Sequence, residues 1–520
     1  MSQKEYIVAL NEGVDYDAFW YEIENNGSGS VYVPDRSVDI VNARPLSQRQ
    51  CHYALTDQEA NLLRNDPRIY CVELPPEQRD DIQIAPLANQ IGLYYKSPGT
   101  NPANANGVNW GLFRLNSETN NTPGAQGNLE YLYALDGTGV DFVIQDSGCQ
   151  VDHPDFTDIN GVSRVQKINW YTASGVPGVQ PADNLFYNDT DGHGTHCTGI
   201  AAGKRYGRAK NAQIYSCMVS GLNGAGTQGL PVTDVFDVIK GWHLNKPIDP
   251  VTGAKRPTVV NMSWSYINTF SGITGGNYRG TNWTGNLPRT DYGMIGSSGR
   301  FGIRVGTVDV DVAELLAAGV ILVGAAGNYY QTVDVPGGLD YNNYYISGGL
   351  NYYYMQGGSP PAAPGVICVG NISTGYDSPE RKNQSSESGP RVDVYAPGTN
   401  IVSTTSTTNR FGAVTGYPAN TNYRIMSISG TSMASPQVAG LAMQLAQLNP
   451  RATPAQIRQQ IIDLSAKDVI YTTGQSTDYT NSESLHGGPN RMAFMPHNGV
   501  SPVNSRVFGE LTFSGLKFTA

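Results

Sequence analysis

From Asn109 onward the chain repeats one pattern: a short apolar run that stops at a polar tip, followed by a stretch with helical spacing. Val140 to Ile144 runs into Asp146-Ser147-Gly148, and Val320 to Ala326 runs into Gly327-Asn328. A strand buried on both faces reads as a near-continuous apolar run, and strands that alternate with helices build parallel sheets. The pattern therefore predicts an α/β fold with a doubly wound, mostly parallel sheet. In such sheets the polar tips converge on a crevice at the carboxyl ends of the strands.

The first 78 residues follow a different rhythm. Strands are predicted at Glu5–Leu10, Val38–Asn42, Gln50–Leu55 and Ile69–Leu74, with a short helix at Asp17–Glu24. Thr56-Asp57-Gln58-Glu59 supplies a cap and early acidic residues for a second helix at Ala60–Arg64, which Asn65-Asp66-Pro67 stops. The order β-α-β-β-α-β describes a small α+β ferredoxin-like domain over 1–78. A linker rich in Pro, Asn, Gln and Gly is expected over 79–106, the large domain over 107–497, and a C-terminal extension over 498–520.

Charge and cysteine usage exclude several classes. With 34 basic against 44 acidic residues the net charge is −10, and no basic cluster exists to attract nucleic acid or an anionic membrane. No stretch approaches 18 consecutive apolar residues, so no transmembrane helix is expected. The start has neither an apolar h-region nor a small-residue cleavage site, and no secretory signal is expected. Synthesis in the cytoplasm follows as an expectation, with release or particle association both open. The six cysteines show no CxxC and no paired spacing, which argues against a disulfide framework or a zinc site.

Three segments carry chemistry. Asp146 ends a buried strand, His193 lies in Gly-His-Gly-Thr-His at a helix start, and Ser432 lies in Gly-Thr-Ser at the start of an apolar helix reaching Leu448. A serine hydroxyl is a weak nucleophile until an imidazole takes its proton, and that imidazole needs a carboxylate to fix its tautomer. At a helix N-terminus the Ser432 backbone N–H and the helix dipole both favour an oxyanion, and Asn328 offers a second donor.

In the order Asp, His, Ser, these segments resemble the motifs of the subtilisin-like serine proteases, the subtilases. Gly107-Val108-Asn109-Trp110-Gly111-Leu112, Val259-Val260-Asn261-Met262-Ser263 and Asp393-Val394-Tyr395-Ala396-Pro397-Gly398 fit the same family. The resemblance covers about 107 to 497, and 1–78 looks like the family's propeptide inhibitor domain. Cys197, directly after His196, is similar to the proteinase K-like branch.

The resemblance implies a serine endopeptidase acting through an acyl-enzyme, made as an autoprocessed zymogen and inhibited by its own prodomain. Ser432 would be the nucleophile, His193 the base, Asp146 its orienting group and Asn328 an oxyanion donor. Ser263, Trp264 and Ser265 would pair with a polypeptide substrate. Here the family's usual Ser-Leu-Gly-Gly reads Ser263-Trp264-Ser265-Tyr266, which puts close approach of the substrate backbone in question. No cofactor is implied for the chemistry, but a structural Ca²⁺ is, held by Pro364 and Val366 carbonyls with Asp393. His153 and His196 read as structural, and Gln437 replaces a histidine usual in the family.

Insertions near 267–306, 329–363 and 405–424 should rim the cleft. They are either ordered surface decoration or a tyrosine-rich face that narrows the cleft or meets an assembly partner. A reading from another class is an assembly-associated structural or interaction protein on the same scaffold, for example in a phage particle. A lipase or esterase would need a Gly-x-Ser-x-Gly elbow, which Ser432 lacks.

Overall fold

The computed structural model describes residues 2–11, 13–25, 30–42, 50–75, 90–96, 109–120, 127–222, 228–296, 299–373, 379–412, 414–472 and 483–495. The chain forms two compact units, Met1–Pro86 and Leu87–Ala520. The C-terminal extension expected over 498–520 lies outside the described residues.

The N-terminal unit is a four-stranded antiparallel sheet in the order Ile40–Asn42, Gln50–Leu55, Lys4–Leu10, Ile69–Glu73. Helices Tyr16–Glu24 and Asp57–Leu63 contribute Phe19, Ile23, Ala60 and Leu63 to its core. The second helix starts at a capping box: the Thr56 side chain accepts from the Glu59 backbone N–H, and the Glu59 carboxylate accepts from that of Thr56. Arg36 bonds the same carboxylate, which holds the Glu59 pKa down at about 2.

The larger unit is built on an eight-stranded sheet. Its order is Ala466–Lys467, Arg491–Met492, Val394–Pro397, Ile367–Ile372, Ile321–Ala325, Thr258–Met262, Asp141–Asp146, Gln213–Met218. Every pair is parallel except the first, where Ala466–Lys467 runs antiparallel at the edge. Successive residues serve opposite faces. Phe142 and Ile144 pack into one core with the helices His193–Ala202 and Thr431–Leu448. Val143 packs into another with Val232–Asn245 and Gly306–Ala317. With helices on both sides, strands such as Thr258–Met262 and Ile321–Ala325 are buried at every position.

Part of the stretch expected as a linker is a strand. Gln90–Lys96 pairs antiparallel with Gly127–Tyr133 inside the larger unit. Backbone pairing with a partner some forty residues away outweighs a composition that reads locally as a connector.

The first two insertions merge into one small subdomain. Its sheet has the order Thr281–Thr284, Ile273–Tyr278, Tyr344–Ser347, Leu350–Tyr353, so the middle pair joins the two insertions. Gly348 and Gly349 have φ of +56° and +80°, the primed two-residue turn that suits a hairpin. Ile273, Trp283, Phe301, Tyr345 and Tyr354 form a separate core. Tyr345 and Tyr354 are fully buried, and Tyr341, Tyr344, Tyr352 and Tyr353 are half-buried. Tyr345 and Tyr354 thus pack the two insertions together. Phe301→Ala should remove roughly 3–5 kcal/mol of local stability, seen as faster amide exchange along Ile273–Tyr278.

Candidate functional site

Asp146 ends a strand in which all six residues are buried, so its carboxylate needs hydrogen-bond partners. Its Oδ1 accepts from the Ser147 backbone N–H at 2.7 Å and lies 2.8 Å from His193 Nδ1. That contact places the Nδ1 proton toward Asp146 and leaves Nε2 as an acceptor. Burial disfavours the imidazolium, yet the neighbouring Asp146 carboxylate outweighs it and raises the His193 pKa well above its usual value.

His193 opens the helix His193–Ala202, and the loop before it is tied by Asp189, which is fully buried. Asp189 Oδ1 accepts from Gly192 N–H at 2.8 Å and the Ser147 hydroxyl at 3.1 Å. Its Oδ2 accepts from the Thr195 backbone N–H at 2.9 Å and the Thr195 hydroxyl at 2.5 Å. Ser147 Oγ accepts in turn from Gly194 N–H at 3.0 Å. One carboxylate therefore fixes both the residue after Asp146 and the first turn of the histidine helix. Gly194 admits no side chain, because a Cβ there would lie 2.0 Å from the Gly148 carbonyl oxygen.

Ser432 is the second residue of Thr431–Leu448. Gly430, just before it, has φ +155° and ψ +166°, a conformation open essentially to glycine alone. The Ser432 hydroxyl donates to the Ser263 carbonyl at 3.2 Å. Its own carbonyl accepts from Ser263 Oγ at 3.0 Å and from Cys197 Sγ at 3.3 Å. Asn261 completes the clamp by donating to Ser263 Oγ at 2.9 Å and accepting from Ser435 Oγ at 2.7 Å. Cys197 is wholly buried, burial pushes its pKa up, and the sulfur serves as a protonated S–H donor. Asn328 Oδ1 accepts from the Thr431 backbone N–H at 2.9 Å and the Thr431 hydroxyl at 3.0 Å. The Asn328 amide nitrogen is thereby the end left to donate.

Asp146, His193, Ser432 and Asn328 line one cavity of ≈ 330 Å³ together with Ser263, Trp264 and Ser265. The Trp264 side follows a rebuilt path: the Tyr266 backbone N–H donates to Ser359 and its carbonyl accepts from Ile303. Sequence reasoning missed Ser147, Asp189, Thr431 and Arg410. The crowded polar run Asn188-Asp189-Thr190-Asp191 just before the Gly-His motif was the available signal.

His153 and His196 lie outside this arrangement. The Nε2 atoms contact the Arg424 and Met426 carbonyls, each at 3.1 Å, and burial lowers the His196 pKa to about 3. Gln437 donates to Asn109 Oδ1 at 2.8 Å and so ties the Ser432 helix to the start of the large domain.

Strand and helix ends thus bring a paired aspartate and histidine, a serine and an asparagine amide to one cavity. The family model for subtilases (peptidase S8) matches residues 137–488, and the chain belongs to that family. It is 30% identical over 388 residues to the subtilisin-like serine protease Pen c 2 of Penicillium citrinum, covering 74% of this chain and 64% of that protein. It is 28% identical over 398 residues to subtilisin-like protease 8 of Trichophyton verrucosum, covering 74% of this chain and 62% of that protein. The chain thus spans less than two thirds of those relatives' length. A solved structure, of a cold adapted subtilisin-like serine proteinase, matches with a TM-score of 0.45 and 23% identity over 75% of this chain and 98% of that one.

The calcium site expected at Pro364, Val366 and Asp393 does not fit a metal, because an arginine fills it. Arg391 Nη2 donates to the carbonyls of Ala363 at 2.6 Å and Val366 at 2.7 Å, and Nε donates to that of Ala362 at 3.1 Å. Its Nη1 donates to Asp393 Oδ2 at 3.2 Å. Arg458 holds the same carboxylate at 2.5 and 3.1 Å, and Cys368 N–H donates to it at 3.0 Å. Of the three expected ligands, the Val366 carbonyl and the Asp393 carboxylate already bond the guanidinium. Arg391→Ala should cost roughly 3 kcal/mol, as removing one partner of a buried ionic cluster does. In thermal melts CaCl₂ should recover part of that loss in the variant and leave the parent unchanged.

Proposed function

We propose that the chain is a serine endopeptidase that hydrolyses peptide bonds through an acyl-enzyme. The observation that carries this reading is the Asp146–His193 contact on the same cavity as Ser432 and the Asn328 amide. His193 Nε2 takes the Ser432 proton as Oγ attacks the scissile carbonyl, and Asp146 stabilises the imidazolium that forms. The oxyanion is received by Asn328 Nδ2 and the Ser432 backbone N–H at the helix N-terminus. His193 then protonates the leaving amine, and water repeats the sequence on the acyl-enzyme. No cofactor enters these steps.

Ser263, Trp264 and Ser265 form the wall along which an extended substrate backbone lies. The bulk of Ser265 and Tyr266, and the bonds already made by the Tyr266 backbone, shorten that pairing strand compared with a glycine-bearing one. The N-terminal unit is proposed as an intramolecular inhibitor removed by self-cleavage between 75 and 106. Pairing of Gln90–Lys96 with Gly127–Tyr133 favours a cut before Gln90, which leaves that strand with the catalytic unit.

A fluorophosphonate probe should label Ser432. Ser432→Ala should abolish both labelling and self-cleavage, leaving full-length chain on gels; equal processing of the two proteins refutes the zymogen reading. Asn328→Ala should lower kcat by about 10²–10³, the usual cost of losing one oxyanion donor. The raised His193 pKa keeps the base protonated further up the pH scale, so kcat/KM should climb with a midpoint above 6.5, the usual His value. In Asp146→Asn the largest raising influence is gone while burial still acts, so the midpoint should move to lower pH as the rate falls.

A further inference from the structure

Arg410, in the insertion 405–424, is the one permanent cation among the described residues lining the catalytic cavity. The one carboxylate there, Asp146, is engaged by His193. Arg410 is held in place: its backbone N–H donates to the Asp191 carbonyl at 3.1 Å, and its Nε lies 2.6 Å from Asp191 Oδ2. Its guanidinium also stacks over Phe411, 4.5 Å from the ring centre. The pair is asymmetric, because the Asp191 side chain is 1% exposed and that of Arg410 is 51% exposed. The acid faces the protein and the guanidinium faces the cleft. Asp191 precedes His193 by two residues, which puts this charge on the His193 side of the cavity.

We propose that Arg410 is a specificity-determining residue that receives an aspartate or glutamate side chain of the substrate beside His193. The proposal rests on the endopeptidase reading. With the guanidinium beside Asp191 and half exposed, it keeps N–H donors for a carboxylate, a planar fork that a lysine would not reproduce. The chain's net charge of −10 opposes acidic substrates at long range, so the selection must be local, at the cleft.

The test measures kcat/KM for peptides matched except for Glu or Gln at each of the two positions on either side of the scissile bond. Wild type should favour Glu at one position, and raised salt should shrink that preference. In Arg410→Gln the Glu-to-Gln ratio should fall by about fivefold, the scale of a partly exposed ion pair. Because that change strands the Asp191 carboxylate, the double variant Asp191→Asn/Arg410→Gln removes both charges and should show the same fall. An unaltered ratio in the double variant overturns the role of Arg410. If wild type cuts no peptide and Ser432 resists a fluorophosphonate, the endopeptidase reading fails and takes this one with it.

Discussion

The helix Thr431–Leu448 has almost no solvent face, since every residue from Met433 to Ala446 is buried. It packs against the central strands, the His193–Ala202 helix and, through Gln437 and Asn109, the beginning of the large domain. Such a helix cannot shift without disturbing the core, so its N-terminal turn is among the most firmly placed backbone in the molecule. Ser432 inherits that rigidity. Its carbonyl is clamped from two directions by Ser263 and Cys197, and Thr431 fixes the neighbouring asparagine. Ser432, Asn328 and the strand beside the cleft are therefore held as one unit, the electrostatic preorganisation that the proposed chemistry requires.

The parts of this arrangement legible in the sequence are those in which chemistry dictates both residue type and position. A carboxylate closing an apolar strand, an imidazole between glycines at a helix start and a serine behind a glycine each announce themselves locally. The helix start at Thr56 did so for the same reason, because its cap and its Glu59 lie within one turn. Arg391 gave no such notice. Backbone carbonyls carry no residue identity, and whether Asp393 meets a metal or a guanidinium depends on where one side chain two residues earlier turns. Gln90–Lys96 was hidden for a related reason: its strand character lives in its pairing partner. Arg410 became visible only once folding brought its insertion to the His193 loop.

Arg391 also changes what kind of stability the larger unit has. A dissociable ion leaves its ligands bare whenever its concentration falls, whereas a guanidinium two residues from its carboxylate has a very high effective concentration. The cluster around Asp393 thus has nothing to lose to the medium.

The sheet shared by the first two insertions has a consequence for how this protein can vary. Its middle strands, Ile273–Tyr278 and Tyr344–Ser347, come from segments separated by an entire helix and a core strand of the parent fold. Neither segment has a complete core of its own, because Trp283 and Phe301 from one meet Tyr345 and Tyr354 from the other. Loss of one would expose an unpaired edge and an apolar face on the other, a liability for aggregation. The two segments are therefore expected to be gained, lengthened or discarded as a pair, so that lineages carrying one without the other should be rare.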